Sequence, residues 1–336
     1  MKGKHRIIIE AERLKYEFEI KRNITIIQGD SATGKTTLVD LIQTYGRYGE
    51  ESGISISSDV SCVAFTGDAS LWKAAIASYE NSIIFFDEDY SFIFSKDFAK
   101  EIQNTSNYYV IITRQPLYNL PYSTKEIYGI RTTGKYHFPE KIYHEFYPIY
   151  DDSKITDNPN IVLLIEDHKS GFQFFSHALP QANCISSQGN SSIPTDLMSL
   201  NSEKPVIVIA DGAAFGAYIS KVLAIAKDRK NVGMFFPESF EWIILKSRVL
   251  DIKNLDDILA NPEDYIDGNQ YFSWEQFFTD LLESSTQDDP IRQYKKSRLN
   301  TFYLDGKNRD QILSVLPEEL RKQLINSETN TPYVQS

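Results

Sequence analysis

The chain has little cysteine and only five histidines, and the histidines form no metal-binding group. Its two cysteines, Cys62 and Cys184, are far apart in the 336-residue sequence. They form no C-x-x-C pair or Cys/His group, so neither a disulfide framework nor a structural zinc site is indicated. Such a cysteine content suits a reducing compartment, and we predict a cytoplasmic location.

Long apolar runs are also missing. No run approaches the roughly 20 residues that a membrane-spanning helix requires. Charged residues interrupt the N-terminal segment MKGKHRIIIEAERLKYEF within a few positions, which is not the pattern of a signal peptide. The sequence therefore predicts no membrane partner.

Excess positive charge is the third absence. The formal net charge is −11, which argues against a broad electrostatic surface for nucleic acid and leaves only a local basic groove open. The chain is 41% hydrophobic and 24% charged, the composition of a globular protein rather than a disordered one. Its length is sufficient for two domains with real cores.

Apolar runs alternate with helical patterns along the chain, which predicts an α/β fold. The polar segment YDDSKITDNPN carries no period and separates two such patterns. We predict a first domain at 1–150 with a mainly parallel sheet, a second α/β domain at 158–325 that ends in helices, and a tail at 326–336. In the first domain the pattern predicts a helix at 36–44 stopped by Gly46, and another capped by Ser95 with Phe98 and Ile102 inward.

Residues 29–36 match the pattern G-x-x-x-x-G-K-[ST], with an apolar strand before them and an amphipathic helix after them. In such a loop, consecutive backbone N–H groups and a helix N-terminus face phosphate oxygens, and Gly29 and Gly34 permit the close approach. Lys35 would reach the β- and γ-phosphates, and the Thr36 hydroxyl would bind Mg²⁺. The predicted cofactors are ATP and Mg²⁺, held by Gly29, Asp30, Ser31, Ala32, Thr33, Gly34, Lys35, Thr36 and Thr37.

On this motif the first domain resembles the P-loop NTPases. The stretch SIIFFDED at 82–89 is similar to that family's Walker B strand, a hydrophobic run that ends in Asp. The resemblance implies that Asp87 holds Mg²⁺ through water and that Glu88 polarises the attacking water, with Asp89 an equally good carboxylate for the second role. Lys35, Asp87 and Glu88 are thus the predicted catalytic residues. The alternative is a buried strand that ends in solvated carboxylates.

Two further features bear on the class of P-loop protein. The paired strands that precede the motif resemble those of the ABC/SMC-like ATPases, but no LSGGQ-like signature is present, and only 51 positions (87 − 36) separate Thr36 from Asp87. Thr113 or Arg114, after the strand YYVIIT, would sense the γ-phosphate or belong to the plain surface. A small-molecule kinase is the competing class, with Arg131 as its candidate lid arginine.

The second domain resembles the TOPRIM fold of topoisomerases, primases and OLD-family nucleases, because IVLLIED is followed by PVIVIADG. The resemblance implies that Glu166 and Asp211 bind Mg²⁺. Ala213 stands where the family's D-x-D motif has its second Asp, so Asp167, Glu238 or Glu241 would have to complete a site. The alternatives are that these carboxylates cap helices, and that the small residues of DGAAFG serve either a second anion site or close strand–helix packing.

Taken whole, the chain resembles uncharacterised P-loop proteins of Firmicutes and their mobile elements, through GDSATGKTT, NLPYS, EIYGIRT, ADGAAFG and PESFEW. That resemblance implies no particular activity. The predicted function is Mg²⁺-dependent ATP binding, as an ATPase or a nucleotide switch that controls the second domain. An OLD-like ATP-dependent nuclease with an incomplete metal site, and a nucleotide-gated interaction module with little hydrolysis, are the alternatives. A nucleic-acid or protein partner and the oligomeric state are left open.

Overall fold

The structure, a computed structural model, describes residues 1–29, 34–137, 141–150 and 161–326. The described residues form two compact units, the first from Met1–Asp151 and Ala260–Ser273, the second from Asp152–Leu259 and Trp274–Ser336. The sequence analysis placed 260–273 with the second domain. Hydrogen bonds remote in sequence explain the difference, since the Met1 amino group donates to Asp267 at 3.0 Å and Asn23 donates to the Phe272 carbonyl at 3.0 Å. The tail predicted at 326–336 lies outside the described residues beyond 326, as does the polar segment at 151–160.

The first unit is built on one mixed sheet. Its strands, within the described residues, are β1 His5–Glu10, β2 Leu14–Ile20, β3 Ile24–Ile27, β4 Ser55–Ser57, β5 Ser61–Ala64, β6 Ser82–Phe86, β7 Tyr108–Ile112, β8 Ile127–His137 and β9 Lys141–Pro148. Their order is β4-β1-β2-β9-β8-β3-β7-β6-β5. The block from β8 to β5 is parallel, and β3 lies between β8 and β7. The predicted α/β class with mainly parallel pairing is confirmed.

Three antiparallel pairings interrupt the parallel pattern: β1 with β2, β1 with β4, and β8 with β9. The sequence analysis did not identify β8, β9 or β4. Their residues are largely half-exposed, and many are polar, so they lack the continuous apolar run that marks a strand buried on both faces. The β8–β9 pair joins the N-terminal strands to the parallel block, because β9 pairs with β2 and β8 pairs with β3.

The helices of the first unit are α1 Lys35–Tyr48, α2 Trp72–Ala77 and α3 Lys96–Ile102, with 3₁₀ turns at Gly49–Ser52, Ala69–Leu71, Ser91–Phe94, Thr124–Glu126 and Pro262–Asp264. The predicted cap of α3 is confirmed, since the Ser95 hydroxyl accepts from the Phe98 N–H at 3.0 Å and Phe98 and Ile102 are buried. The predicted stop at Gly46 is wrong. A single glycine costs a helix only about 1 kcal/mol, and α1 ends instead at Gly49, whose φ of 56° suits glycine.

The second unit is built on a sheet whose strands, within the described residues, all run parallel. They are β10 Val162–Ile165, β11 Asn183–Ser186, β12 Val206–Ile209 and β13 Val232–Phe235, in the order β11-β10-β12-β13. All residues of β10 and β12 are buried, as helices on both faces of a parallel sheet require. The carboxyl ends of β10 and β12 therefore lie side by side.

Helices make up most of the rest of the second unit, as the sequence predicts from residue 239 onward. They are α4 Ser170–Ala178, α5 Ile193–Ser199, α6 Gly216–Asp228, α7 Phe240–Ser247, α8 Leu255–Ala260, α9 Trp274–Thr286, α10 Gly306–Leu313 and α11 Glu318–Asn326, with a 3₁₀ turn at Thr301–Leu304. The stretch NRDQILSVLPEELRKQL forms two helices rather than one, because Pro317 cannot continue a helix. None of the helices in the described ranges combines the length and apolar character needed to cross a membrane.

Candidate functional site

The glycine motif lies at the carboxyl end of β3. Gly29 follows the strand with φ of 133°, and Gly34 stands before α1 with φ of 91°, values that side-chain-bearing residues rarely adopt. Four of the predicted nucleotide-binding residues lie outside the described residues: Asp30, Ser31, Ala32 and Thr33. The described flanks place a strand before the motif and a helix at its end, in the order that the motif requires.

The N-terminus of α1 is suited to an anion. Its N-cap residue is Gly34, which has no side chain to cap it, and no acidic residue stands in its first turn. The first N–H groups of a helix have no intrahelical acceptor and carry the positive end of the helix dipole. Thr36 and Thr37 are exposed on this first turn, so their hydroxyls face solvent rather than core.

Lys35 closes the loop from the helix side. Its side chain is 6% exposed, and its Nζ donates to the Gly29 carbonyl at 2.8 Å. Side chains on a helix point back toward its N-terminus, which brings the ammonium from α1 to Gly29, two residues after the end of β3. The structure therefore brings together the two ends of the predicted phosphate loop.

Tyr16 supports the loop from β2, a contact that the sequence analysis missed. Its hydroxyl donates to the Gly34 carbonyl at 2.9 Å. A Cβ added at Gly34 would lie 2.8 Å from the Tyr16 hydroxyl oxygen. The His144 ring stacks on Tyr16 with centroids 4.5 Å apart. In the sequence Tyr16 is one apolar position of an alternating strand, and nothing in that pattern indicates its contact with a loop 18 residues away.

Asp87 follows β6 at the same edge of the sheet. One strand, β7, separates β6 from β3, which places the two strand ends roughly 10 Å apart at the usual strand spacing. Partial burial raises the pKa of Asp87, and the charges of Asp89, Glu88 and Asp40 raise it further, while a hydrogen bond from the Glu88 N–H at 2.7 Å opposes the shift. Since Asp40 belongs to α1, carboxylates from the strand end and the helix lie close enough to interact.

Glu88 is paired with an arginine. Arg114, which follows β7, donates from Nε to Oε2 at 2.9 Å and from Nη2 to Oε1 at 2.8 Å. Thr113 is buried, and its hydroxyl donates to the Gln115 carbonyl at 2.9 Å. Of the two candidate sensors, Arg114 is thus the exposed one, and Thr113 is engaged within its own turn.

Arg131, the candidate lid arginine, lies on β8. Its guanidinium contacts Glu145 of the neighbouring strand β9, with Nη2 and Oε1 2.8 Å apart, and lies over the Tyr147 ring at 5.1 Å. Both partners come from the β8–β9 pair, so the contacts of Arg131 are those of a cross-strand surface residue.

In the second unit, Glu166 follows β10 and Asp211 follows β12, the neighbouring strand. The Asp211 N–H donates to Glu166 Oε2 at 2.9 Å, so the two predicted metal ligands are adjacent. Asn190, with its amide nitrogen toward Glu166, donates to both carboxylate oxygens at 3.1 Å. Burial raises the pKa of Glu166 to about 8, and burial together with neighbouring carboxylates raises that of Asp211 well above its usual range.

A lysine that the sequence analysis did not select joins this pair. Lys296 Nζ lies 3.8 Å from Asp211 Oδ2, 3.5 Å from Glu241 Oε1 and 2.7 Å from Glu275 Oε1. Burial alone would lower the pKa of Lys296, but the three carboxylates raise it above its ordinary value. Lysine is common on surfaces, and no sequence pattern marks this one.

The other predicted carboxylates have different roles. Asp167 accepts from the Gly171 and Phe172 N–H groups at 3.2 and 2.8 Å and so caps α4, the alternative left open from the sequence. Glu241 is fully buried and accepts from the Tyr294 hydroxyl at 2.7 Å. Across the described ranges, no group of three or more His, Cys, Asp or Glu side chains is arranged to hold a metal ion.

The small residues after β12 serve close packing. A Cβ at Gly212 would lie 2.5 Å from the Phe236 carbonyl oxygen, and the Gly212 N–H donates to the Pro237 carbonyl at 2.6 Å. Only glycine allows the turn after β12 to lie against the backbone that follows β13. Of the two interpretations of DGAAFG, these contacts favour close packing of the backbone.

Comparisons with protein-family models and with curated proteins return no match for the chain.

Proposed function

We propose that the first unit binds Mg·ATP at the carboxyl end of β3 and acts as an ATPase or a nucleotide switch. The observation that carries the proposal is the position of Lys35. A nearly buried ammonium donates to the Gly29 carbonyl, between two positive-φ glycines and beside the N-terminus of α1. Two sources of positive potential, the ammonium and the helix N-terminus, thus flank the predicted phosphate loop.

The residues present fit a triphosphate. Lys35 would exchange the Gly29 carbonyl for phosphate oxygens, because an ammonium binds an anionic oxygen more strongly than a neutral one. The first N–H groups of α1 would donate to the same phosphates. Tyr16 would hold the loop's second glycine in place, since its hydroxyl already binds the Gly34 carbonyl.

The donor set near Asp87 fits Mg²⁺. This cation takes oxygen ligands and keeps several waters. Thr36, at the start of α1, offers a hydroxyl, and Asp87, after β6, offers a carboxylate at the same edge of the sheet. The raised pKa of Asp87 reflects a negative environment to which Asp89, Glu88 and Asp40 contribute. When bound, the metal would neutralise charge on the transferred phosphoryl group.

Glu88 is the residue that would orient water, and its pairing with Arg114 bears on the choice between hydrolysis and switching. Both oxygens of Glu88 accept from the guanidinium. Each oxygen keeps a second lone pair, so Glu88 can accept from water while it is paired, but the guanidinium fixes the orientation of the carboxylate and competes with water for it. The pairing supports slow turnover as long as the two side chains remain together.

Titration of the full chain with nucleotides tests this proposal. We expect binding of ATP in the presence of MgCl₂, weaker binding of ATP with EDTA, and no measurable binding of adenosine, because the described contacts recognise phosphate and metal. Calorimetry measures all three. Equal affinity for adenosine and Mg·ATP would contradict a site built on phosphate recognition.

A further inference from the structure

At the carboxyl edge of the second unit's sheet, three carboxylates lie around one ammonium, and a fourth acid lies beside one of them. Lys296 Nζ lies within 3.8 Å of Asp211, Glu241 and Glu275 oxygens. Glu166 accepts from the Asp211 backbone N–H and brings a fourth acid to the group. Carboxylates this close repel one another unless a cation or a proton stands among them.

Hydrogen bonds of the Lys296 backbone fix the position from which its side chain reaches the carboxylates. Its N–H donates to Glu283 Oε1 at 3.1 Å, and its carbonyl accepts from the Ser170 N–H at 3.1 Å. Two residues earlier, Tyr294 is buried, donates to Glu241 at 2.7 Å and contacts the Ser170 hydroxyl at 2.7 Å. The segment that carries the lysine is therefore held by the backbone of Lys296 and by the side chain of Tyr294.

We propose that the Lys296 ammonium is the resident cation of this carboxylate group and takes the place that a divalent metal ion holds in a TOPRIM-like site. A magnesium or manganese ion bound to Asp211 and Glu241 would lie roughly 2.0–2.6 Å from their oxygens. The ammonium already stands 3.8 and 3.5 Å from those same oxygens. A metal ion on those oxygens would lie close to the ammonium, and repulsion between the two cations disfavours the presence of both.

Two further observations support this assignment. Ala213 occupies the position where the TOPRIM pattern has its second metal-binding Asp, so the donor set is short of one ligand. Glu241 is 0% exposed, and its Oε2 has no hydrogen-bond partner among the described residues. A fully buried carboxylate with an unsatisfied oxygen depends strongly on the one charge beside it.

In the wild-type chain the Lys296 ammonium then occupies this edge, and no metal ion binds there. Metal-dependent cleavage of DNA or RNA at Asp211 is then absent. In the wild-type arrangement no three of the described acids are placed to hold a metal ion. Removal of the ammonium, with most of the lysine's hydrocarbon stem retained, would free these acids to turn toward a divalent cation in its place. Lys296→Met makes that change, and Lys295→Met is the matched control because Lys295 is the adjacent exposed lysine.

Manganese binding tests the proposal on the nucleotide-free full chain, by electron paramagnetic resonance of free Mn²⁺ during titration with MnCl₂. We expect Lys296→Met to bind Mn²⁺ at least about tenfold more tightly than wild type, because a full unit charge is removed from among the carboxylates. Lys295→Met should match wild type, and Lys296→Met/Asp211→Asn should lose the gain. A folded Lys296→Met with no gain overturns the proposal.

The wild-type chain gives a second test that needs no lysine variant. We expect Asp211→Asn to leave wild-type Mn²⁺ binding unchanged, and we expect no cleavage of DNA or RNA by wild type with Mg²⁺ or Mn²⁺. Loss of Mn²⁺ binding in Asp211→Asn, or robust cleavage that disappears in Asp211→Ala, would show that the native edge holds a metal and would overturn the proposal.

Discussion

The guanidinium of Arg114 binds both carboxylate oxygens of Glu88. The two residues follow neighbouring parallel strands, β7 and β6, so their pairing is a direct result of strand order. It occupies the carboxylate that would orient water in a hydrolytic site. Arg114 could therefore restrain Glu88, or it could leave Glu88 and bind a phosphate. The two roles predict opposite changes in kcat when Arg114 is replaced.

We expect Arg114→Met to raise kcat for ATP hydrolysis by up to about fivefold, because exposed ion pairs contribute only about 0.2–1 kcal/mol and their loss frees Glu88 by a matching factor. The side chain of Arg114 is 56% exposed, so the fold should not suffer. Steady-state phosphate release measures the effect, with Glu88→Gln as the inactive control. A fall in kcat in Arg114→Met would instead assign the arginine to the phosphate.

We expect Asp87→Asn to lower kcat by about a hundredfold or more while Mg·ATP affinity changes by less than about tenfold, because the metal matters most as charge develops on the transferred group. Asp97→Asn is the control, since Asp97 is exposed on α3, away from the strand ends. Phosphate release and calorimetry give the two quantities. A parallel fall in turnover and affinity would remove Asp87 from the metal site.

The buried ion pair between Arg22 and Glu126 should contribute to the stability of the first unit. Their side chains are 4% and 0% exposed, and Nε lies 3.2 Å from Oε1. We expect Arg22→Met to lower the free energy of unfolding by about 3–5 kcal/mol, because it removes the cation beside a buried carboxylate. Arg22→Met/Glu126→Gln should recover part of that loss. Urea denaturation measures both. Lys73→Met, which breaks the exposed pair of Lys73 with Asp97, is the control, and a loss in Arg22→Met no larger than in Lys73→Met would contradict a stabilising buried ion pair.

The carboxylates of the second unit impose a pH dependence on stability. The pKa of Glu166 is raised to about 8 in the folded chain from 4.5. Between these values the folded state keeps a proton that the unfolded state releases, so stability is greatest at the acid end and falls as pH rises. One such group gives a slope of up to about 1.4 kcal/mol per pH unit. We expect Glu166→Gln to flatten the fall in unfolding free energy from pH 5 to pH 8, and an unchanged slope would contradict it.

Local features of the fold could be predicted because their causes lie within a few residues. The Ser95 cap depends on a hydroxyl three positions before the N–H that it accepts from. The buried strands β6, β7, β10 and β12 are apolar runs that end at polar residues, and the parallel pairing of α/β segments follows from their alternation. The same local logic located Gly29, Lys35 and Asp87 at strand and helix ends.

Other features depend on residues that are remote in the sequence. Lys296 meets Asp211 across 85 positions (296 − 211), and Tyr16 meets Gly34 through a strand whose alternation only indicates burial. The segment Ala260–Ser273 belongs to the first unit through hydrogen bonds to residues near the N-terminus. No period or propensity encodes such contacts, because they arise only when the sheets and helices are assembled.

The central claim is that the loop between Gly29 and Lys35 binds the phosphates of ATP. The most direct test is calorimetry of Mg·ATP binding to wild type, Lys35→Met and the control Lys100→Met, whose lysine is exposed on α3. We expect Lys35→Met to weaken binding by about tenfold to a hundredfold, since a charge-assisted hydrogen bond contributes about 1.5–3 kcal/mol. Lys100→Met should bind like wild type. The thermal unfolding midpoints of all three proteins should agree to within a few degrees, the range of an ordinary single substitution. Equal Mg·ATP affinity in Lys35→Met and wild type would contradict the claim.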